Sequence, residues 1–215
     1  DVYKRQGNTV VVWDLHSRKP KQVLDVPGVP LEIRCAWRPE HNWCVTSSAL
    51  TSKIWLIHED DAGSWQSTEV ADIGVPADIP FPVDISIMAD DSALWVNTFM
   101  DGKTRLFDLS DPLQPKQVYE KKIGSQVNMV SQSWDGKRAY YTSSLLANWD
   151  KKGEDNEQYF KAFTWDGKAL QEQFAIDFTE AKLGRPHQMR FGAYALYAAA
   201  APAKAGTDLA AVEQR

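Results

Sequence analysis

Four histidines are the residues of this sequence best suited to bind a transition metal or to transfer protons. Imidazole is a good ligand for copper, but a site needs several side chains that converge at one place. His16, His41 and His58 lie in polar stretches typical of turns and strand ends, so we interpret them as solvated residues outside the site. His187 differs because it follows a proline that restricts the backbone. From the residues alone a hydrogen-bonded loop histidine is the first interpretation of His187, and a metal ligand is the alternative.

Two acidic residues, a methionine and a tryptophan are further candidates for the wall of a channel or loop site. Asp84 begins an apolar stretch that fits the innermost strand of a sheet, although a carboxylate capping a turn fits it as well. A packed core methionine is the first interpretation of Met100, and a thioether ligand for Cu(I) is the alternative. Trp149 and Asp150 lie in a long charged connection, 144–158, where packing of the indole on a neighbouring element is the alternative.

The sequence lacks the motifs of several common classes of enzyme. It has no Gly-rich phosphate loop, no Gly-x-Ser-x-Gly and no His-Glu-x-x-His, which argues against nucleotide-driven, serine-hydrolase and zincin chemistry. The 24 Lys and Arg against 29 Asp and Glu give a net charge of −5 without a basic stripe, so nucleic acid is not an expected partner. No long apolar run is present, and no membrane span is expected.

The chain has two cysteines, Cys35 and Cys44. They are too few for a disulfide framework, and they do not form a Cys-x-x-Cys pair of the kind that binds zinc or performs redox work. Because 43% of the residues are apolar, the chain can bury a large core. We therefore expect two buried thiols.

Short runs of β-branched and aromatic residues recur along the chain, whereas helical periodicity is almost absent. Asp, Gly, Asn and Pro separate the runs. This pattern predicts an all-β protein whose strands average about six residues and suit sheets of four. The predicted strands are Thr9–Leu15, Lys21–Val26, Glu32–Arg38, Trp43–Ser48, Lys53–His58, Ser67–Ile73, Asp84–Ala89, Ala93–Phe99, Thr104–Leu109, Gln117–Lys122, Asn128–Ser133, Arg138–Ser143, Tyr159–Thr164 and Phe174–Phe178.

Three stretches of the sequence repeat the same order of turn, strand and strand. Their turns begin at Arg38, Ala89 and Trp134, which are 51 and 45 residues apart, and such a period is typical of β-propeller blades. The segment 10–14 resembles the end of a further blade. We therefore predict a partial β-propeller with four-stranded blades, about half of a ring. A half ring leaves two sheet faces uncovered, so we expect the chain alone to be inactive and prone to aggregate.

The two ends of the sequence differ from this pattern. Residues 1–6 resemble the translation of a transposase adapter used in sequencing libraries, so we interpret them as an artefact and assign the propeller blades to 7–191. Any leader peptide would then lie before the break. The segment 192–215 is rich in alanine and has no strand signal, so we predict that it is disordered.

Several segments resemble the selenium-binding protein family, whose bacterial members include methanethiol oxidases. The most specific are Pro30-Leu-Glu-Ile-Arg34 and Thr142-Ser-Ser-Leu-Leu-Ala-Asn-Trp-Asp150. The further matching segments are 12–14, 84–87, 104–112, 129–137 and 183–187. The resemblance covers about residues 8–192 and corresponds to the C-terminal half of such a protein.

The resemblance implies a seven-bladed propeller that oxidises methanethiol, a small thiol, with O2 and water to formaldehyde, hydrogen sulfide and hydrogen peroxide. In bacterial members this activity is associated with copper and the periplasm; otherwise the expected location is the cytoplasm. His187 lies in a matching segment and is thereby implied as a metal ligand. This chain has Asn97-Thr-Phe-Met100 where animal relatives have Asn-Trp-Leu-His. The family's reactive cysteine belongs to the N-terminal half, so neither cysteine here takes its role.

Two other functions are open at this stage. The first is a propeller without catalysis that binds selenium or docks another protein, because the scaffold does not determine the chemistry. The second is a WD-type scaffold, indicated by Trp13-Asp14 and Trp165-Asp166. It ranks lower because the regular Gly-His start of such repeats is missing. The oligomeric state does not follow from the sequence.

Overall fold

Short strands joined by turns build the chain in the computed structural model, which describes residues 7–74, 79–150 and 158–189. These ranges contain no helix, so the all-β prediction is confirmed. The strands are β1 (Thr9–Asp14), β2 (Lys19–Asp25), β3 (Pro30–Cys35), β4 (Trp43–Ser48), β5 (Lys53–Glu59), β6 (Trp65–Asp72), β7 (Pro82–Ile87), β8 (Ala93–Thr98), β9 (Lys103–Asp108), β10 (Lys116–Lys122), β11 (Val130–Gln132), β12 (Arg138–Thr142), β13 (Tyr159–Trp165) and β14 (Leu170–Asp177).

The strands form consecutive antiparallel sheets in chain order. A two-stranded sheet of β1 and β2 is followed by three four-stranded sheets, β3 to β6, β7 to β10 and β11 to β14. We call these four sheets the first, second, third and fourth blades. The strands β3, β7 and β11 contact one another in succession and form the inner wall of the assembly. The prediction of a partial β-propeller with four-stranded blades is confirmed.

The apolar core lies between consecutive blades and not within any one of them. Side chains alternate between the two faces of a strand, so each sheet offers one apolar face to the blade before it and one to the blade after it. The three clusters join Leu24 with Ile57, Val45 with Ile85, and Trp95 with Tyr141 across the three interfaces. Packing between blades therefore fixes how the inner strands sit beside one another.

A hydrogen bond from the second strand of a blade to the segment that follows this blade in the chain recurs three times at equivalent positions. The donors are the fifth residues of β4, β8 and β12. The three bonds run from Ser47 Oγ to Val83 O at 3.2 Å, from Asn97 Nδ2 to Asn128 O at 2.9 Å and from Thr142 Oγ1 to His187 O at 2.6 Å. We call them the inter-blade hydrogen bonds. The position of His187 relative to the fourth blade is therefore equivalent to the position of Asn128 relative to the third blade.

Cys35 and Cys44 form a disulfide, so the expectation of two buried thiols is wrong. The two residues lie directly opposite each other in the β3–β4 pair. Cys35 is exposed and Cys44 is partly buried against the cluster between the first and second blades. The count of cysteines could not predict the bond, because the pairing register of the two strands brings them together.

Some of the sequence-based boundaries fall outside the described ranges. Residues 1–6 and 190–215 are among those not described, so the proposed artefact, the end of the blades at 191 and the Ala-rich tail stay predictions. Within the described ranges no helix is long and apolar enough to cross a membrane.

Candidate functional site

A buried carboxylate on the inner wall joins three blades. Asp84 lies on β7, and its Oδ1 accepts a hydrogen bond from Arg34 Nη2 of β3 at 3.0 Å. Its Oδ2 accepts a hydrogen bond from the Val130 N–H of β11 at 2.8 Å. Both partners are at least 46 residues away in the sequence, so Asp84 does not cap a local turn. It connects the first strands of the second, third and fourth blades.

Burial raises the pKa of Asp84 to about 6, because only 1% of the residue is exposed and the charged form loses its hydration. The Arg34 guanidinium and the Val130 N–H act in the opposite direction, and the negative charge of Glu32 adds to the rise. Glu32 itself accepts a hydrogen bond from Arg34 Nη1 at 2.8 Å. Asp84 therefore changes its charge near neutral pH, which is a property of proton-transferring groups.

A cavity of about 220 Å³ lies beside this pair, and we call it the inner-wall cavity. Trp37 and Trp134, which follow β3 and β11, meet edge to face at its rim with ring centroids 5.0 Å apart. The indole N–H of Trp37 donates to Ile87 O at 3.2 Å. Gln132 Nε2 donates to Ser86 Oγ at 2.8 Å and to Ile87 O at 2.9 Å. Trp37 just after β3 and Gln132 at the end of β11 are thus both held in fixed orientations by hydrogen bonds to β7, which lies between them.

His187 is held by backbone groups of the fourth blade. Its Nδ1 lies 3.0 Å from Ser144 O. Nδ1 also lies 3.2 Å from Asn128 Nδ2. The carbonyl oxygen can only accept and the amide nitrogen can only donate, so these two contacts do not assign the tautomer of the ring. The ring is exposed. In the tautomer in which Nδ1 donates to Ser144 O, Nε2 has the free lone pair that a metal-binding histidine needs.

The described residues do not complete a metal centre around His187. In the part of the chain that the structure describes, no group of three or more His, Cys, Asp or Glu side chains could hold a metal ion. Among the described residues His187 is therefore a single candidate donor. The three remaining histidines lie elsewhere: His16 is exposed, His41 Nδ1 lies 2.8 Å from Asp91 Oδ2, and His58 Nε2 lies 3.0 Å from Thr68 Oγ1.

Met100 and Trp149 lie at the end of the blades where second strands lead into third strands. Met100 follows β8 and is 52% exposed, so its interpretation as a packed core methionine is wrong. Trp149 packs edge to face on Phe81, with ring centroids 5.9 Å apart. Since Phe81 precedes β7, this contact joins the long connection of the fourth blade to the third blade.

Asp150 positions the segment that carries His187. Its buried carboxylate accepts hydrogen bonds from Ser144 Oγ at 2.6 Å and from the Leu145 N–H at 2.9 Å. It also forms an ion pair with Arg185, two residues before His187. Ser144 therefore contacts both residues, through its hydroxyl to Asp150 and its carbonyl to His187. Of the candidates predicted from the sequence, the fold brings Asp150 and His187 together. Asp84 and Met100 belong to the third blade.

Sequence reasoning missed four residues of the inner-wall cavity: Arg34, Trp37, Gln132 and Trp134. A signal existed for Arg34, which ends the specific segment Pro30–Arg34. Trp37 and Trp134 occupy corresponding places in two repeats, immediately before or at the predicted turns. Their contact across an intervening blade depends on the arrangement of blades and could not be deduced from the repeat itself.

Comparison with known proteins agrees with the fold and defines the family. A methanethiol oxidase of Ruegeria pomeroyi is 66% identical over 197 residues, which cover 92% of this chain and 45% of that protein. A selenium-binding protein from Sulfolobus tokodaii superposes with a TM-score of 0.72 at 24% identity, over 80% of this chain and 47% of that one. The β-propeller domain of Myceliophteria thermophila Cps50 (Swd1) gives a TM-score of 0.59 at 15% identity, over 80% of this chain and 53% of that one.

The chain spans less than half the length of the methanethiol oxidase that it resembles. The two structural neighbours show the same arrangement of blades at low sequence identity, which supports the fold alone. A family model described as 56kDa selenium binding protein matches residues 2–194, which is most of the chain. The chain therefore belongs to the 56kDa selenium-binding protein family.

Proposed function

We propose that this chain is part of an oxidoreductase that converts methanethiol, O2 and water into formaldehyde, hydrogen sulfide and hydrogen peroxide. The observation that carries the proposal is the 66% identity to a methanethiol oxidase over 92% of the chain. In this reaction the methyl carbon loses two electrons and the C–S bond is replaced by a C=O bond whose oxygen comes from water. O2 takes up the two electrons and becomes peroxide, so atoms and electrons balance. The substrate class is thus a small thiol.

Copper is the cofactor that we propose, with His187 as one ligand through Nε2. A soft thiol substrate and an imidazole donor both suit this metal, and when bound it would exchange electrons between the thiol and O2. Thr142 and Ser144 hold the His187 backbone and ring, and Asp150 holds the preceding Arg185. These residues keep the imidazole oriented. The proposal for copper rests on this donor geometry together with the relative's activity.

We also propose a periplasmic location in place of the cytoplasmic alternative. The disulfide between Cys35 and Cys44 supports it, because disulfides persist in oxidising compartments and are rare in the bacterial cytosol. Nucleic acid stays an unexpected partner on charge alone, and no contact described here bears on the oligomeric state.

The proposed function is tested on the complete protein that contains this chain. Purified wild type should contain copper by mass spectrometry and release formaldehyde, hydrogen sulfide and hydrogen peroxide from methanethiol. His187→Ala should lower both the copper content and the rate, whereas the exposed His16→Ala should change neither. Copper-free wild type that does not turn over methanethiol would exclude the enzyme. An unchanged copper content in His187→Ala would exclude His187 as a ligand but would leave the proposed activity in place.

A second candidate is a propeller of the same family that binds selenium or docks another protein without catalysis. The description of the matching family model as a selenium-binding protein favours it. The same preparations distinguish the two candidates. Selenium bound to a protein that does not oxidise methanethiol would support the second, whereas turnover would support the first.

A further inference from the structure

We propose that the inner-wall cavity binds the methyl thiol substrate, with Trp37, Trp134 and Met129 around the sulfur and methyl group. The inference deepens the proposed oxidase function and rests on it. The cavity, of about 220 Å³, is lined by described residues of β3, β7 and β11 and the turns that follow them, together with Met129 and Gln188.

The walls of the cavity are soft and polarizable where the sulfur of a thiol would lie. Trp37 and Trp134 are 56% and 42% exposed although their rings contact each other edge to face, so both still present ring surface. Met129, which is buried, lines the same cavity. Sulfur atoms make favourable contacts with aromatic rings, and thioethers adapt to small apolar ligands. This part of the cavity thus suits a methyl group and a sulfur atom.

The polar side of the cavity has an acceptor without a donor. Gln132 uses its Nε2 to donate to Ser86 Oγ and Ile87 O, and the carbonyl partner fixes which end of the amide is nitrogen. Gln132 Oε1 is buried and has no hydrogen-bond partner in the described part of the chain. A buried acceptor without a donor is costly. Gln132 lines the cavity, so a small shift of its side chain would offer this acceptor to the S–H group of a ligand.

The charges around the cavity favour a neutral ligand over an anion. Arg34 is the cation at this point, and it is already paired with Glu32 at 2.8 Å and with Asp84 at 3.0 Å. Two carboxylates for one guanidinium leave no excess positive charge for an anionic ligand. A neutral thiol meets no such penalty.

The cavity also adjoins the segment that carries the proposed copper ligand. Gln188, which lines the cavity, follows His187 directly. Because residues 186–189 run beside β11, with Met189 O accepting from Ser131 Oγ at 3.2 Å, a thiol in the cavity lies next to the same stretch of backbone. A substrate pocket and a metal ligand on adjoining residues are what oxidation of the bound thiol requires.

The test uses the complete protein and three variants. Trp134→Ala removes the indole, Trp134→Phe keeps an aromatic ring, and Leu113→Ala is the control because Leu113 is exposed in the turn between β9 and β10. Steady-state kinetics with methanethiol should show KM raised about tenfold in Trp134→Ala with little change in kcat, which is the loss of ground-state binding. Trp134→Phe should stay near wild type, and the copper content of all variants should be unchanged.

Anaerobic calorimetric titration with methanethiol measures binding without turnover and separates the two hypotheses. The Kd should rise about tenfold in Trp134→Ala but not in Leu113→Ala. Wild type that binds the thiol in this way but never oxidises it would overturn the proposed function and leave the cavity assignment in place. Turnover and binding that are equal in wild type and Trp134→Ala would overturn the cavity assignment and leave the proposed function in place.

Discussion

Arg34 on the second blade donates a hydrogen bond to Asp84 on the third blade across 3.0 Å, and this pair joins the inner ends of two sheets. Asp84 also accepts a hydrogen bond from the Val130 N–H of the fourth blade at 2.8 Å. One carboxylate therefore holds three blades at the position where the candidate substrate cavity lies. Its charge state and its partners should influence both stability and function.

Replacing Arg34 by Met should lower the free energy of unfolding of the complete protein by about 2 kcal/mol. Removal of one partner from a fully buried ion pair costs about 3–5 kcal/mol, and the loss is smaller here because 35% of the Arg34 side chain is exposed. Urea unfolding measures the change. Arg34→Met/Asp84→Asn should recover most of it, because no unpaired carboxylate remains buried, and the exposed Lys116→Met is the control. Equal stability of Arg34→Met and wild type would contradict the role of the pair.

Asp84 should make the folded state less stable as the pH rises. Its pKa of about 6 in the folded state lies above the ordinary value of 3.8, so its favourable contribution is complete below the lower value and is lost as the pH passes through the higher one. The interval between the two pKa values corresponds to roughly 3 kcal/mol. Arg34 and Glu32 from β3 and the Val130 N–H from β11 are the charged and polar groups facing it.

The pH effect is measured by unfolding wild type and Asp84→Asn in parallel between about pH 4 and pH 7. All other titrating groups are common to both proteins. The variant should gain stability relative to wild type as the pH rises. A difference that stays constant over this range would show that Asp84 keeps one charge state throughout it.

The disulfide between Cys35 and Cys44 should form in the folded protein and stabilise it. Its two cysteines lie nine residues apart, and closing a loop of this size in the unfolded chain is worth roughly 2–3 kcal/mol. Cys35→Ser/Cys44→Ser should unfold at correspondingly lower urea concentration. Alkylation of the unfolded, unreduced protein should modify neither cysteine, and prior reduction should expose both. Two labelled cysteines before reduction would show that the bond is absent.

The 215-residue chain on its own should associate with itself. Phe174 and Ile176 on β14 are 52% and 39% exposed, and Phe160 packs against Phe174 on the same face of the fourth blade. Contiguous exposed apolar surface of this kind drives association. Light scattering after size-exclusion chromatography measures the mass, and Phe174→Ser/Ile176→Ser should reduce it relative to Leu113→Ser. A stable monomer that melts cooperatively would contradict the expectation.

The repeat of turns at Arg38, Ala89 and Trp134 was enough to predict the blades, because each blade is built from neighbouring stretches of sequence. Contacts between blades were beyond that reasoning. The pair of Arg34 and Asp84 joins residues 50 positions apart, and its existence depends on how two inner strands are placed relative to each other. The disulfide was missed for a different reason, because it depends on the pairing register of β3 and β4 within one blade. Met100 was wrongly assigned to the core because residue type alone does not show that it lies exposed in the turn after β8.

His187 illustrates the opposite case, in which local sequence pointed to the right segment without giving its surroundings. A histidine after proline was recognisable as constrained. Its contacts with Ser144 O at 3.0 Å and Asn128 Nδ2 at 3.2 Å follow only from the fold, and so does its link to Asp150 through Ser144. Whether it binds copper stays a prediction.

The inter-blade hydrogen bonds also determine how a mechanical load would travel through the molecule. Each bond ties the second strand of one sheet to the chain that follows that sheet, from Ser47 to Val83, from Asn97 to Asn128 and from Thr142 to His187. A pull on the backbone at His187 would reach the fourth blade through Thr142 before any strand of that blade is peeled away. The load would thus be distributed over several blades, and their sheets would resist stretching together.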